Sequence, residues 1–207
     1  MTFELWLAFV LAASILLAIP GPTVMLVVGY ALGEGRRSAW STVAGVALGD
    51  FTAMTLSMLG LGALLAASAT LFTALKWVGA VYLVYLGIRL WRAPAVLAGA
   101  ATEGNGRRPI AMLGHAFLVT ALNPKSLAFF VAFLPQFMRP ADPLLPQMLV
   151  LVSTFILLAT LNATLYAALA MRLRGAIGRP GVLKALNRAG GAILIGAGLV
   201  TAAMKRG

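Results

Sequence analysis

Six apolar stretches divide the chain, at about Leu5 to Leu32, Trp40 to Ala66, Leu71 to Trp91, Ile110 to Phe137, Leu144 to Met171 and Val182 to Met204. A helix crosses the hydrocarbon of a bilayer with about 20 apolar residues, so each stretch is long enough to span. The pattern predicts six transmembrane helices. Between the third and fourth, Arg92 to Pro109 is rich in Ala and Gly and reads as a flexible loop. Pro140, Pro143 and Pro146 punctuate the link between the fourth and fifth, on the opposite side. Trp6, Trp40, Trp77 and Trp91 fall near stretch ends, where an interfacial belt of aromatic anchors is expected. The lead-in Met1 to Leu5 carries Glu4 and no Lys or Arg, unlike the start of a signal peptide, so the first stretch is expected to remain a helix of the mature protein.

Composition agrees with this reading. Of 207 residues, 61% are hydrophobic and only 10% charged, and the mean hydropathy is +0.97. Soluble domains carry about 25% charged residues, so a soluble globule is excluded. One membrane domain over 1–207 is expected, with a first half at about 1–92, a loop at about 93–109 and a second half at about 110–207. The net charge of +11 arises from cations at the ends of apolar stretches, which points to lipid headgroups rather than nucleic acid. No Cys is present and His115 is the lone histidine, so no disulfide, metal centre or cofactor is expected. Eleven cations lie in the segments after stretches one, three and five, and four on the other face. By the positive-inside rule, loops 33–38, 92–109 and 172–188 are expected in the cytoplasm and both termini outside.

The two halves resemble each other. Gly79 and Gly87 recur as Gly190 and Gly198 at an offset of 111, and Asp50 falls opposite Asn162 at nearly the same offset. Pro22 and Pro124 are offset by 102, the difference matching the Pro-rich insert. Three spans per half is an odd number, so the halves are expected to be inverted across the membrane. That architecture belongs to transporters, whose sites lie where the repeats meet. Recurrence of small residues by chance is the plainer alternative.

Three places hold candidate chemistry. Pro20, Gly21 and Pro22, followed by Thr23, sit mid-stretch; two missing donors and a glycine predict a broken helix, with Pro22 opening a new half-helix. A break among lipid tails is tolerated only where the freed backbone is buried in protein or lines a wet cavity. Asn123, Pro124 and Lys125 occupy the matching place in stretch four, Asn as N-cap and Pro in the first turn. Free backbone donors at the two half-helix starts suit a carboxylate. Asp50, ten residues after Trp40 and so about 15 Å along its helix, lies beside the small-residue stripe Gly45, Gly49, Ala53, Ser57 and Gly60 and is expected to face the bundle interior. A permanent ion pair between Asp50 and Lys125, fixing helix packing alone, is the structural alternative. Tyr85 and Asn162, like Tyr82, Thr120 and Tyr166, are polar residues within stretches that either line the cavity or pack helices together. A simple packing kink remains the alternative for the Pro-Gly-Pro break.

Ile19 to Pro22, Gly45 to Asp50, Trp77 to Arg92, Leu122 to Lys125 and Phe133 to Phe137 together resemble the LysE/RhtB family of bacterial amino-acid exporters, over essentially the whole chain. The resemblance implies a six-helix inner-membrane protein that moves amino acids or close derivatives outward, driven by the proton gradient. It also implies that Pro20 to Pro22, Asp50 and Asn123 to Lys125 are functional positions. The branch similar to lysine and arginine exporters carries an acid six residues after the motif Asn, where this chain has Phe129. Lys125 instead resembles the homoserine, threonine and leucine exporter branch, which implies a neutral amino acid or homoserine lactone as cargo.

On this reading the protein is a carrier and not an enzyme. Cargo carboxylate is expected near the half-helix starts, together with Lys125, cargo ammonium near Asp50, and proton exchange at Asp50 couples export to the gradient. Tyr85 and Asn162 complete the candidate cargo site, and the oligomeric state stays open. Two other classes stand beside the carrier. An intramembrane hydrolase would use Ser126 with Lys125, although adjacent helical residues point about 100° apart. A channel or passive scaffold would show flux without saturation, or none.

Overall fold

The computed structural model describes residues 1–34, 36–67, 69–92, 108–139, 141–172 and 180–203. Among these the chain is all-helical, with eight α-helices and no strand. They are α1 Phe3–Ala18, α2 Pro22–Glu34, α3 Arg36–Ala67, α4 Ala69–Arg92, α5 Pro109–Ala121, α6 Pro124–Ala132, α7 Leu144–Arg172 and α8 Pro180–Ala203, with a 3₁₀ turn at Leu134–Phe137.

Backbone chemistry sets the boundaries. Thr2 caps α1, its hydroxyl accepting from the Leu5 amide at 3.4 Å. The helix stops at Ala18 because Ile19 precedes a proline, whose ring excludes the helical conformation from the residue before it. Ile19 is extended accordingly, at φ −73° and ψ 118°. Pro22 then opens α2, and the chain turns by 55° across the break. Asn123, extended at φ −67° and ψ 112° before Pro124, ends the second such interruption and caps α6 by accepting from the Lys125 amide at 3.0 Å. That bend is 43°. Both expected breaks are therefore present.

Two stretches, Ala39–Gly60 within α3 and all of α7, are long and apolar enough to cross a membrane as single helices; α1 with α2, and α5 with α6, reach that standard as bent pairs. Outward faces are apolar, with Leu56, Val81, Leu149 and Leu161 all exposed. In water such a surface would aggregate, whereas lipid tails match it. The expected loop 33–38 is shorter than the sequence suggests. Residues 33 and 34 end α2, residues 36 to 38 begin α3, and only residue 35 lies between. Of the loop expected at 92–109, residues 93–107 lie outside the described residues; of that expected at 172–188, residues 173–179 do, while 180–188 are not loop but the start of α8, which Pro180 opens at its first position.

Close helix contacts fall at glycines. A methyl in place of the Gly49 hydrogen would stand 2.8 Å from Phe117 O and 2.8 Å from Thr120 Cβ, and one at Gly45 would strike Leu113 O, so α3 and α5 touch along the small-residue stripe. Helices α4 and α8 cross in the same way. A methyl at Gly87 would meet Gly191 O at 2.7 Å and Ile195 Cγ1 at 2.7 Å; one at Gly198 would meet Ala80 O at 2.7 Å and Val84 Cγ2 at 2.7 Å. Adding 111 to Gly87, Ala80 and Val84 yields Gly198, Gly191 and Ile195, so the crossing maps onto itself.

Two apolar clusters fill the interior. One is aromatic, with Phe130 edge-on to Phe155 at 4.9 Å beside Phe9 and Phe137. The other is built from Val24, Val27, Val43, Val46, Ala163 and Ala167 of α2, α3 and α7. The link to α7 is ordered by Gln147, whose amide donates to Arg139 O at 3.0 Å and Pro143 O at 3.1 Å while its carbonyl accepts from the Arg139 amide at 2.9 Å.

Gly49→Leu should force α3 and α5 apart. Overpacking of this kind costs about 1–3 kcal/mol, which thermal unfolding of the detergent-purified protein would register as a lowered midpoint; an unchanged midpoint would contradict the close crossing.

Candidate functional site

The two breaks meet at a small cavity between the apolar clusters. Its polar lining is Thr23, Asp50, Asn123, Lys125, Ser126 and Asn162; Leu17, Val24, Val27, Val46, Ala159 and Ala163 form the apolar wall. About 20 Å³ is open to the centres of water molecules. One water needs about 10–15 Å³ on that measure, so the cavity admits water and excludes an amino acid in this conformation.

The amino-terminal ends of α2 and α6 are tied to each other. Asn123 Nδ2 donates to Thr23 Oγ1 at 3.0 Å, and Thr23 Oγ1 lies 3.3 Å from Thr120 Oγ1. Asn123 therefore acts twice, through its oxygen as the cap of α6 and through its nitrogen as the bridge to α2. A second bridge, between α2 and α5, joins Tyr30 Oη to His115 Nδ1 at 2.9 Å.

The carboxyl-terminal end of α1 faces side chains from the second half. Lys125 Nζ donates to Leu16 O at 3.0 Å and to Ile19 O at 2.8 Å. Asn162 Nδ2 donates to Leu17 O at 3.1 Å, and Tyr166 Oη to Ala18 O at 2.8 Å. The carbonyls at the end of a helix run out of partners within it; here Leu16 O keeps the Ile19 amide at 3.2 Å, and all four accept from side chains of α6 and α7. The lysine stem packs beside Gly21, where a methyl would lie at ordinary contact distance, 3.5 Å, from both Lys125 Cε and Nζ.

Asp50 is 3% exposed, and its Oδ1 has no hydrogen-bond partner. The salt bridges among the described residues are both to Asp142, from the chain's amino terminus and from Arg139. Asp50 and Lys125 thus line one cavity without closing an ion pair, and the packing-only alternative is not what the structure adopts. The lysine is occupied elsewhere and the carboxylate is left facing the cavity.

Of the residues expected at the site, Thr23, Asp50, Asn123, Lys125 and Asn162 line the cavity, and Pro20, Gly21, Pro22 and Pro124 form the breaks around it. Tyr85 does not join them. It is 49% exposed on the outer face of α4, where it lies against Tyr82 and beneath Arg89. The inward face of that helix carries Ala80 and Leu83, and a residue two positions after Leu83 is turned about 200° from it. Tyr166, by contrast, has a more specific place than a polar residue within a span suggests. Its spacing of four from Asn162 puts both donors on one face of α7, a signal readable from sequence once the α1 carbonyls are known to need partners.

A family model described as "LysE type translocator" matches residues 14–205. The chain belongs to that family. Its apolar helices and this membership make it a membrane protein of the translocator type. It is similar to the homoserine/homoserine lactone efflux protein of Salmonella typhi, 38% identical over 207 residues and 98% of each chain. A membrane protein of Vibrio cholerae is 36% identical over 205 residues, 99% of this chain and 100% of that one. The leucine efflux protein of Enterobacter sp. (strain 638) is 28% identical over 129 residues, 62% of this chain and 61% of its own. No solved structure matches the translocator.

Asn123→Ala removes both the cap of α6 and the bridge to Thr23. A lost N-cap costs about 0.5–2 kcal/mol, and unfolding in detergent should show a drop of at least that size. Thr23→Val, which keeps the cap, should cost less; equal stability of both variants with the parent protein would contradict the arrangement.

Proposed function

We propose that this translocator exports a small neutral amino acid or a close derivative, of the homoserine, homoserine lactone, threonine or leucine type, across the bacterial inner membrane in exchange for protons. The observation that carries the reading is the buried Asp50 carboxylate, its Oδ1 unpartnered, in a water-sized cavity where the amino-terminal ends of two interrupted helices meet. Relatives with efflux names over nearly the whole chain support the direction and the cargo class.

Cargo binds with its carboxylate toward the amide groups at the starts of α2 and α6 and its ammonium toward Asp50. Positive dipole ends favour the first contact and opposite charge the second. The apolar wall of valine and alanine suits a short neutral side chain, and no second acid lines the cavity for a cationic one. Cargo must widen the cavity to enter, which agrees with a carrier that opens to one side at a time. Asp50 gives up its proton on the cytoplasmic side, takes cargo, and is reprotonated outside as cargo leaves.

The chain forms six spans in two inverted halves, with the connections between α2 and α3, between α4 and α5 and between α7 and α8 cytoplasmic and both termini outside. Support comes from the positive-inside count and from the α4–α8 crossing that maps onto itself at an offset of 111. Helices α4 and α8, at 24 residues each, are about 36 Å long and reach across the hydrocarbon. The interrupted helices rock against the others to alternate access.

Inside-out vesicles made acidic within should accumulate homoserine or leucine when the parent protein is present. Asp50→Asn should insert normally and lose most of this gradient-driven uptake. Undiminished coupling in that variant would refute the proton role.

A further inference from the structure

Three side chains hold the end of α1, and only one of them is charged. Asn162 and Tyr166 each supply one neutral donor to one carbonyl. Lys125 brings a full positive charge within 2.8 and 3.0 Å of two carbonyl oxygens at the negative end of the α1 dipole. The carbonyls belong to a helix interrupted inside a membrane domain and are buried with the ammonium. Carbonyl oxygens at the carboxyl-terminal end of an interrupted helix are the ligands with which carriers hold a free monovalent cation. Here the cation is part of the chain.

We propose that Lys125 is a tethered monovalent cation. Its ammonium occupies a carbonyl site that a free ion would otherwise fill, and fastens α1 in the first half to α6 in the second. Lys125 is therefore a positioning residue for the break, and its contact is with backbone rather than with the cargo carboxylate. Of the side chains around it, Asp50 of α3 carries the only opposite charge lining the cavity, and Tyr166 of α7 takes the neighbouring carbonyl. Neither competes for Leu16 O or Ile19 O. The lysine stem packs beside Gly21, and the second proline, Pro22, begins α2 immediately beyond.

Two consequences follow from a built-in cation. The parent protein needs no sodium or potassium at this place. Truncating the side chain opens a negatively polarised site, lined by carbonyls and facing Asp50, that a small cation can enter from solution. Ammonium and methylammonium reproduce the donors of Lys125 and should fit best.

The test is thermal unfolding of purified parent protein and Lys125→Ala in choline chloride, then with sodium, potassium, ammonium or methylammonium chloride added at equal ionic strength. Lys125→Ala should melt several degrees lower in choline and recover at least half of that loss in millimolar ammonium or methylammonium, while the parent midpoint stays put. Should Lys125→Ala fail to accumulate, Lys125→Ser carries the same titration. A variant midpoint indifferent to every added cation, or a parent midpoint raised by sodium or potassium, would overturn the proposal. In proteoliposomes, where the measurement also rests on the exporter reading, the variant's cargo flux should fall severalfold and return with the same ammonium ions. Cation-restored melting with no flux in parent or variant would count against export alone, and absent restoration of melting against the tethered cation alone.

Discussion

The structure depends on what becomes of backbone groups when a membrane helix stops before it has crossed. At the end of α1 the carbonyls of Leu17, Ala18 and Ile19 have no helical partner, Leu16 O keeps only the Ile19 amide at 3.2 Å, and no lipid can supply the missing donors. Lys125, Asn162 and Tyr166 supply the missing donors from α6 and α7. Each unsatisfied buried carbonyl would cost on the order of several kcal/mol in hydrocarbon, more than any single packing contact contributes. The break is therefore possible only in a chain whose second half folds against its first. Once it exists, the start of α2 points its free amides into the protein, where Asn123 and Thr120 meet Thr23.

This constraint separates two roles that the sequence places side by side. Lys125 and Asp50 are the cation and anion nearest the middle of the apolar stretches, and opposite charges in low dielectric ordinarily pair. They form no salt bridge here, and the lysine donates instead to Leu16 O and Ile19 O at the dipole end of α1. Its withdrawal leaves the carboxylate in a water-sized space with an unpartnered oxygen. An acid so placed is available for a proton or for the ammonium of cargo, which a structural ion pair would not be.

Much of this was legible in the sequence, and what was not has a physical cause. Both interruptions could be read because proline deletes a donor and Asn123 is a strong cap, effects that act within a few residues. The positions of the long helices followed roughly from apolar length, and a close approach at Gly45 and Gly49 from small residues at a spacing of four, although not that α5 would be the partner. Tyr85 was misplaced because polarity within a stretch says nothing about rotation, and only the packing of Leu83 and Gly87 decides which face of α4 turns inward. The destination of the Lys125 ammonium was hidden as well: a backbone carbonyl in need of a donor leaves no mark in side-chain chemistry. The aromatic cluster around Phe130 and Phe155 depends likewise on which helices meet, a long-range matter.

On the proposed export mechanism, the cavity at the two breaks opens to each side of the membrane in turn. Because the protein has no cysteine, Ala163→Cys on the cavity wall gives a single reporter for membrane-impermeant maleimide. Labelling should occur from the cytoplasmic and from the outer face in separate experiments, and saturating cargo should slow both. Labelling from one face only, or from neither while a permeant reagent still reacts, would contradict alternating access through this cavity.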